Sequence, residues 1–428
     1  MTGVVERRLD GRERQAEVYL AGLRGTRPRV PFEPAKLESS ARKVMSRPAF
    51  AYVAGGAGAE RTVQANREAL DRRRIVPRML HDVSSRDTTV ELFGEAVRAP
   101  VLLAPIGVLE LAHPEADLAV ARAAAAERIP MIFSSQASYP MEECARQMGT
   151  AARWFQLYPS ASDALVASFV RRAERCGCAA IVLTVDTTLL GWRSRDLDLA
   201  HLPFLHGKGI AQYTSDPVFQ ELVDDRAGAT TEPSPRPSLS ALKVLVEVAR
   251  THPGGFWSNL RSRRPRTAVG TFMDVFPRAS LAWNDLPFLR SLTKLPLLLK
   301  GILDASDARK AVEEGVDGII VSNHGGRQVD GAIGALDALP AVVEAVAGRI
   351  PVLVDSGIRG GADVFKALAL GATAVCIGRP YVYALAIAGE VGVREAIRNL
   401  LADFDLTMAL AGCRSLAEIT ESRIALAT

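Results

Sequence analysis

Several features that would mark a specialised chain are missing from these 428 residues. Cysteine is scarce and odd in number. The five cysteines (Cys144, Cys176, Cys178, Cys376, Cys413) form no Cys-x-x-Cys pair and stand near no histidines at ligand spacing. That excludes a disulfide framework, argues against a zinc site and leaves no metal expected. No uninterrupted apolar run approaches the roughly 20 residues a membrane-spanning helix needs. Met1 to Leu23 offers no apolar core followed by a small-residue cleavage site, so a cytoplasmic location is expected. Charge of one sign is lacking too: 52 basic and 48 acidic side chains leave a net +4, which calls for neither nucleic acid nor an anionic membrane. The local exception, Arg261, Arg263, Arg264 and Arg266, reads as a solvated loop, with an anion or subunit contact as the alternative.

What is present is a large hydrophobic fraction, 48 %, enough to bury a sizeable core. Residues 1–75 read as a mostly helical lead segment. Pro34 to Arg47 and Arg61 to Arg73 are rich in helix formers, and Gly55, Gly56 and Gly58 break the helix between them. Tyr52 precedes that break, either carried over a site as a cap or buried as a core tyrosine. From Ala99 onward short apolar runs recur, each ending in polar or glycine residues before a helical stretch. They are Val101 to Ala104, Met131 to Phe133, Trp154 to Tyr158, Ala180 to Asp186, Leu297 to Lys300, Gly318 to Ser322, Val352 to Asp355 and Val375 to Gly378. Eight strand-helix units predict an α/β fold, a (β/α)8 TIM barrel over 76–428. An open doubly wound sheet is the alternative, and the lack of a glycine fingerprint opening the first helix counts against it. Between the fourth and fifth runs lies an interruption far longer than the few residues such a loop needs. It predicts an insertion over 187–282 on the active-site side, acting as a mobile lid, with Gly228 to Ser238 as a proline-bearing loop.

In a barrel the functional groups sit where strands end. Those ends carry Gln156 and Tyr158, Thr184 and Asp186, Lys300, Ser322 with His324 and Arg327, Asp355 with Arg359, and Gly378 with Arg379. His324 is a candidate general base, and Arg327 is shaped to hold a carboxylate in two hydrogen bonds. The run Asp355-Ser356-Gly357-Ile358-Arg359 and the pair Gly378-Arg379 end strands seven and eight, where barrels bind phosphate through backbone N–H groups and arginine. A phosphorylated ligand or cofactor is expected. Lys300 admits three readings: a salt bridge to an inward carboxylate, a fixed cation against a cofactor that becomes negative on reduction, or a Schiff-base lysine. A phosphate-binding barrel working through a cysteine after a late strand is disfavoured, because no cysteine lies near Ser322.

The motifs Tyr52-Val-Ala-Gly-Gly-Ala, Ala-Pro105-Ile-Gly, Phe155-Gln-Leu-Tyr158, Leu-Thr184-Val-Asp186, Ser322-Asn-His324-Gly-Gly-Arg327-Gln and Asp355-Ser-Gly-Ile-Arg359 together resemble the FMN-dependent 2-hydroxyacid oxidase and dehydrogenase family. The likeness runs from about Ala35 to Ile419. It implies FMN as cofactor, with His324 as catalytic base supported by Asp186. Arg193 and Arg327 would clamp the substrate carboxylate, Tyr52 and Tyr158 would hydrogen-bond the substrate, and Lys300 would stabilise reduced flavin. The ring and ribityl chain would follow Pro105, Ile106, Gly107, Ser134, Gln156, Thr184 and Ser322. The phosphate would rest on Asp355, Ser356, Gly357, Ile358, Arg359, Gly378 and Arg379. Partners implied are a small 2-hydroxy acid, oxygen and further copies of the chain, four or eight in all. Within the family the segment from Gly191 and the long insertion look most like lactate 2-monooxygenase, so L-lactate and oxygen would give acetate, carbon dioxide and water. An oxidase or dehydrogenase giving the keto acid is the alternative. Two departures stand out: Gln136 where glycolate oxidase has tryptophan, and Ser356 where it has glycine.

Overall fold

The computed structural model describes residues 10–229 and 238–427. Its centre is a closed barrel of eight parallel strands, numbered here by themselves: β1 Val101–Leu103, β2 Met131–Phe133, β3 Arg153–Leu157, β4 Ile181–Thr184, β5 Leu297–Ile302, β6 Gly318–Val321, β7 Val352–Val354 and β8 Ala374–Ile377. Strands follow one another around the ring and β8 closes on β1 through Cys376 opposite Leu102.

Alternation along each strand decides what the barrel holds. Successive side chains point to opposite faces, so one set packs inside and the other packs against the surrounding helices. The inward set is Leu102, Ile132, Trp154, Val182, Leu298, Ile320, Leu353 and Cys376, all buried in one cluster. Burying each large apolar side chain contributes about 1.5–3 kcal/mol. A hairpin of Val90–Leu92 and Glu95–Val97 plugs the lower end, where Phe93 meets Trp154 with ring centroids 5.5 Å apart. Two residues further along, the same inward positions turn polar: Ser134, Gln156, Thr184, Lys300, Ser322 and Asp355, each buried. The period of two therefore carries an apolar floor directly into a polar rim.

The lead segment forms four helices, α1 Gly11–Leu23, α2 Pro34–Val44, α3 Arg47–Ala54 and α4 Arg61–Asp71. The stretch Pro34 to Arg47 is helical as expected up to Val44, and its last residue, Arg47, opens the next helix. Ser46 caps α3 by accepting from Ala49 N, and a proline in the first turn suits a new start. Arg73 belongs to a strand, Arg73–Ile75, paired with Ile424–Leu426 near the other end of the chain. The glycine break after α3 allows close approach: a Cβ on Gly56 would lie 2.9 Å from the Gly326 carbonyl oxygen. Ala57 N donates to that same oxygen at 2.8 Å, so the lead segment is fastened to the turn after β6.

Between β4 and β5 the chain forms a helical cap that includes Pro217–Ala229, Leu239–Thr251, Phe256–Arg261 and Arg264–Val275. The arginine cluster is a correction: Arg261 ends one helix and Arg264 opens another, with Pro265 in its first turn, and Arg264 pairs with Asp224. Most of the tract Gly228 to Ser238, namely 230–237, lies outside the described residues. Among the described residues, no helix is long and apolar enough to cross a membrane.

Candidate active site

One cavity opens where the strands end, and it is lined from both the barrel and the lead segment. Its floor carries Lys300, Asp355 and Cys376, and one wall is Pro105, Ile106 and Gly107 after β1. Tyr52, Tyr158, Arg193, His324 and Arg327 line one end, while Ser356, Gly357, Ile358, Arg359, Gly378 and Arg379 line the other. The structure thus gathers residues that stand up to 327 positions apart in sequence, 379 minus 52.

At the centre His324 Nδ1 lies 2.8 Å from Asp186 Oδ1. Its other ring nitrogen, Nε2, faces the Tyr158 hydroxyl at 3.4 Å. Burial disfavours the charged imidazole and the net shift is below the ordinary histidine range, although Asp186 pulls the other way. Burial would likewise raise the Asp186 carboxyl, but the charges of His324 and Lys300 outweigh it and hold Asp186 at about 2. With Asp186 ionised, the proton on His324 belongs on Nδ1 and the lone pair on Nε2. Tyr158, pushed up to about 12 by burial and then by Asp186, stays protonated.

Lys300 is buried, donates to Ser322 Oγ at 2.9 Å and lies 3.1 Å from Asp355 Oδ2. The inward-carboxylate pairing is therefore present. Burial alone would lower the lysine, but Asp355 and Asp186 raise it well above its usual range, so it stays charged and is no amine nucleophile.

The four arginines stand in a row. Arg193 and Arg327 both stand over the Tyr52 ring, at 5.7 and 4.9 Å from its centroid. Arg327 donates to the Tyr52 and Gly55 carbonyls, the latter at 3.0 Å. Arg379 donates to Val53, Gly55 and Gly325 carbonyls, and Arg359 to the Ile358 carbonyl. Among the described residues none of the four forms an ion pair with a carboxylate. Burial, and then the neighbouring arginine, lowers Arg327 to about 9 and Arg359 to about 10. Without ion-pair partners the four favour bound anions, and Arg327 and Arg379, which both donate to the Gly55 carbonyl, stand side by side between Arg193 and Arg359.

Buried polar atoms without partners point the same way. Gln156 Nε2 and Thr184 Oγ1 have none among the described residues. Both sit at inward strand ends, where a flat polar ring system would satisfy them. Ser134 Oγ lies 3.3 Å from Gln156 Oε1, and Ser322 Oγ receives both Lys300 and His324 N. Together with the row of cations, this rim fits an elongated ligand with a polar ring and a phosphate tail. No group of three or more His, Cys, Asp or Glu side chains is placed to hold a metal among the described residues.

Sequence reasoning left out Val53, Ala104 and Cys376 of the lining, and four residues that support or cap the site. Thr187 Oγ1 touches both Asp186 Oδ1 at 2.9 Å and His324 Nδ1 at 3.2 Å. Gln328 ties down the segment that carries Arg193, donating to the Asp186 and Leu189 carbonyls and accepting from Gly191 N. Those two adjoin Asp186 and Arg327, and that adjacency was the available signal. Leu190 and Phe276 line the cavity from the insertion, where no strand register foretells which residue faces inward.

The insertion is anchored over this end of the cavity by aromatic rings. Phe276 meets Tyr158 edge-on at 5.4 Å and Phe204 meets Tyr52 at 6.5 Å. Phe272, fully buried, joins Phe204, Phe276 and Tyr213 behind them.

The model of the FMN-dependent dehydrogenase family matches residues 41–426. The L-lactate oxidase of Lysinibacillus sphaericus is 40 % identical over 382 residues, covering 89 % of each chain. The glycolate oxidase of Spinacia oleracea is 40 % identical over 390 residues, 91 % of this chain and 94 % of that one. A crystal structure of mandelate oxidase superposes with a TM-score of 0.73 at 36 % identity, covering 92 % of this chain and 98 % of the other.

Proposed function

The chain belongs to the FMN-dependent 2-hydroxy acid oxidase and dehydrogenase family, and from that premise we propose that it is a monooxygenase of a small L-2-hydroxy acid, L-lactate foremost. The observation that carries this reading is a row of four arginines along one cavity that form no ion pair among the described residues, beside the His324–Asp186 pair.

In this reading Arg193 and Arg327 hold the substrate carboxylate, and Tyr52 and Tyr158 orient the hydroxyl end. His324 Nε2 takes the proton, and Asp186, already ionised, stabilises the imidazolium that forms. FMN, when bound, accepts the two electrons that leave carbon 2. Gln156, Thr184, Ser322, Lys300 and the wall Pro105 to Gly107 would hold its ring, and Arg359 and Arg379 its phosphate. The fixed charge of Lys300 is already in place, so no reorganisation is needed when negative charge develops beside it.

The monooxygenase outcome is supported by the cap. Aromatic side chains of the insertion pack against Tyr52 and Tyr158. Pyruvate and hydrogen peroxide formed there stay together long enough to react, giving acetate, carbon dioxide and water. Product analysis with L-lactate under air tests this. Acetate without free peroxide is the expected result; pyruvate with stoichiometric peroxide makes the protein an oxidase, and turnover only with a dye acceptor makes it a dehydrogenase. Purified protein that is colourless and does not take up FMN ends the whole reading. Assembly into four or eight copies goes with it, and sedimentation measures that.

A further inference from the structure

Ser356 stands in the left-handed region, with φ of +74°, which serine adopts rarely and glycine readily. A residue kept there against its preference points to work done by its side chain. The hydroxyl donates to Asp355 Oδ1 at 2.7 Å and accepts from Gly325 N at 2.9 Å and Asn323 N at 3.4 Å. One donor and two acceptor positions are all a serine has, so its capacity is filled.

The partners matter more than the count. His324 lies between Asn323 and Gly325, and its own φ is +59°, followed by +65° and +76° at Gly325 and Gly326. Within this turn Gly326 N donates to the Asn323 carbonyl, and the other N–H groups depend on side-chain acceptors. His324 N goes to Ser322 Oγ, Gly326 N to Asn323, and the remaining two go to Ser356. Ser322 Oγ also receives Lys300, Lys300 pairs with Asp355, and Asp355 receives Ser356. The result is a closed ring of contacts from Lys300 through Asp355 and Ser356 to the His324 turn and back through Ser322.

We propose that Ser356 is a positioning residue whose hydroxyl locks the His324 turn to the Lys300–Asp355 pair, and not a contact for the cofactor phosphate. This rests on the reading of His324 as the base. The groups facing His324 are Asp186, Thr187, Tyr158, Lys300 and Arg193. Releasing the turn moves the imidazole away from Asp186, the group that favours its charged form, so its titration midpoint falls.

The experiment compares Ser356→Gly with Ser356→Ala in the FMN-loaded protein. It measures kcat, KM for L-lactate, FMN affinity, thermal unfolding, and the His324 titration by NMR of histidine-labelled protein, with His324→Gln assigning the resonance. Both variants lack the hydroxyl, so both should lower the midpoint by about half a unit and kcat by roughly tenfold or more, with KM within about twofold. Weaker FMN binding with kcat and titration unchanged would return Ser356 to the phosphate site and overturn the proposal. An effect in Ser356→Ala alone assigns it to backbone strain, which glycine relieves, and also overturns it; so does loss of fold in both variants. If the titration moves in both while wild-type protein turns over no 2-hydroxy acid, Ser356 keeps this role and the functional reading falls instead.

Discussion

Asp186 is charged throughout the working pH range, held at about 2, while burial keeps His324 below the usual histidine range. A base of lowered pKa is neutral, and therefore active, further into acid than free histidine. The plateau of kcat/KM should accordingly extend below pH about 6.5 and fall off only beneath it. Asp186→Asn removes the one contribution that raises the imidazole, so the acid limb should move lower still while the plateau drops; a limb that moves upward would contradict the assignment. His324→Gln should keep its yellow colour and lose about 10²- to 10⁴-fold in turnover, as expected for removal of a general base. Lys300→Met tests a different term. It leaves Asp355 buried with its cationic partner gone, which costs about 3–5 kcal/mol; denaturant unfolding at neutral pH measures that, and an unchanged midpoint would mean the pair contributes nothing.

At the scale of elements, the strands were the legible part. Period two carries each inward row from an apolar residue such as Ile320 to a polar one such as Ser322, and that alternation is written in the sequence. The strand ends Gln156, Thr184, Lys300 and Asp355 could therefore be picked out before any coordinates. The cap could not, because its helices obey no common register with the barrel and nothing local distinguishes Phe276 from Phe272. The arginine cluster misled for a related reason: its charges suggested solvent, and they are largely solvated, but Pro265 in a first turn marked a helix start. The start of α3 at Arg47 was similarly signalled by Ser46 ahead of Pro48. The cap carries its own prediction. Phe272 is the buried hub of the rings that reach Tyr52 and Tyr158, and Phe272→Ala should cost about 3–5 kcal/mol and loosen that packing. Under the proposed reaction the variant should release more pyruvate and peroxide per acetate formed, and an unaltered product ratio would separate the cap from the outcome.

Lead segment, barrel and insertion each contribute a wall to one cavity, and among the described residues the four arginines it gathers form no ion pair with a carboxylate. Bound anions should stabilise such a cavity, because a half-buried guanidinium gains from a charged, bidentate partner. Ligands that bind only the folded state stabilise it by mass action, about 2.7 kcal/mol at 100 times the dissociation constant. Apo protein, stripped of FMN, should therefore unfold at a lower temperature than the loaded form. Inorganic phosphate should recover part of the difference at the Arg359 and Arg379 end, and L-lactate or another small carboxylate should act at the Arg193 and Arg327 end. Chloride at matched ionic strength should do much less, since it offers no bidentate geometry. In Arg359→Ala the phosphate response should shrink while the carboxylate response stays, and the reverse should hold in Arg193→Ala. If both variants lose both responses together, the two ends are not separate anion sites.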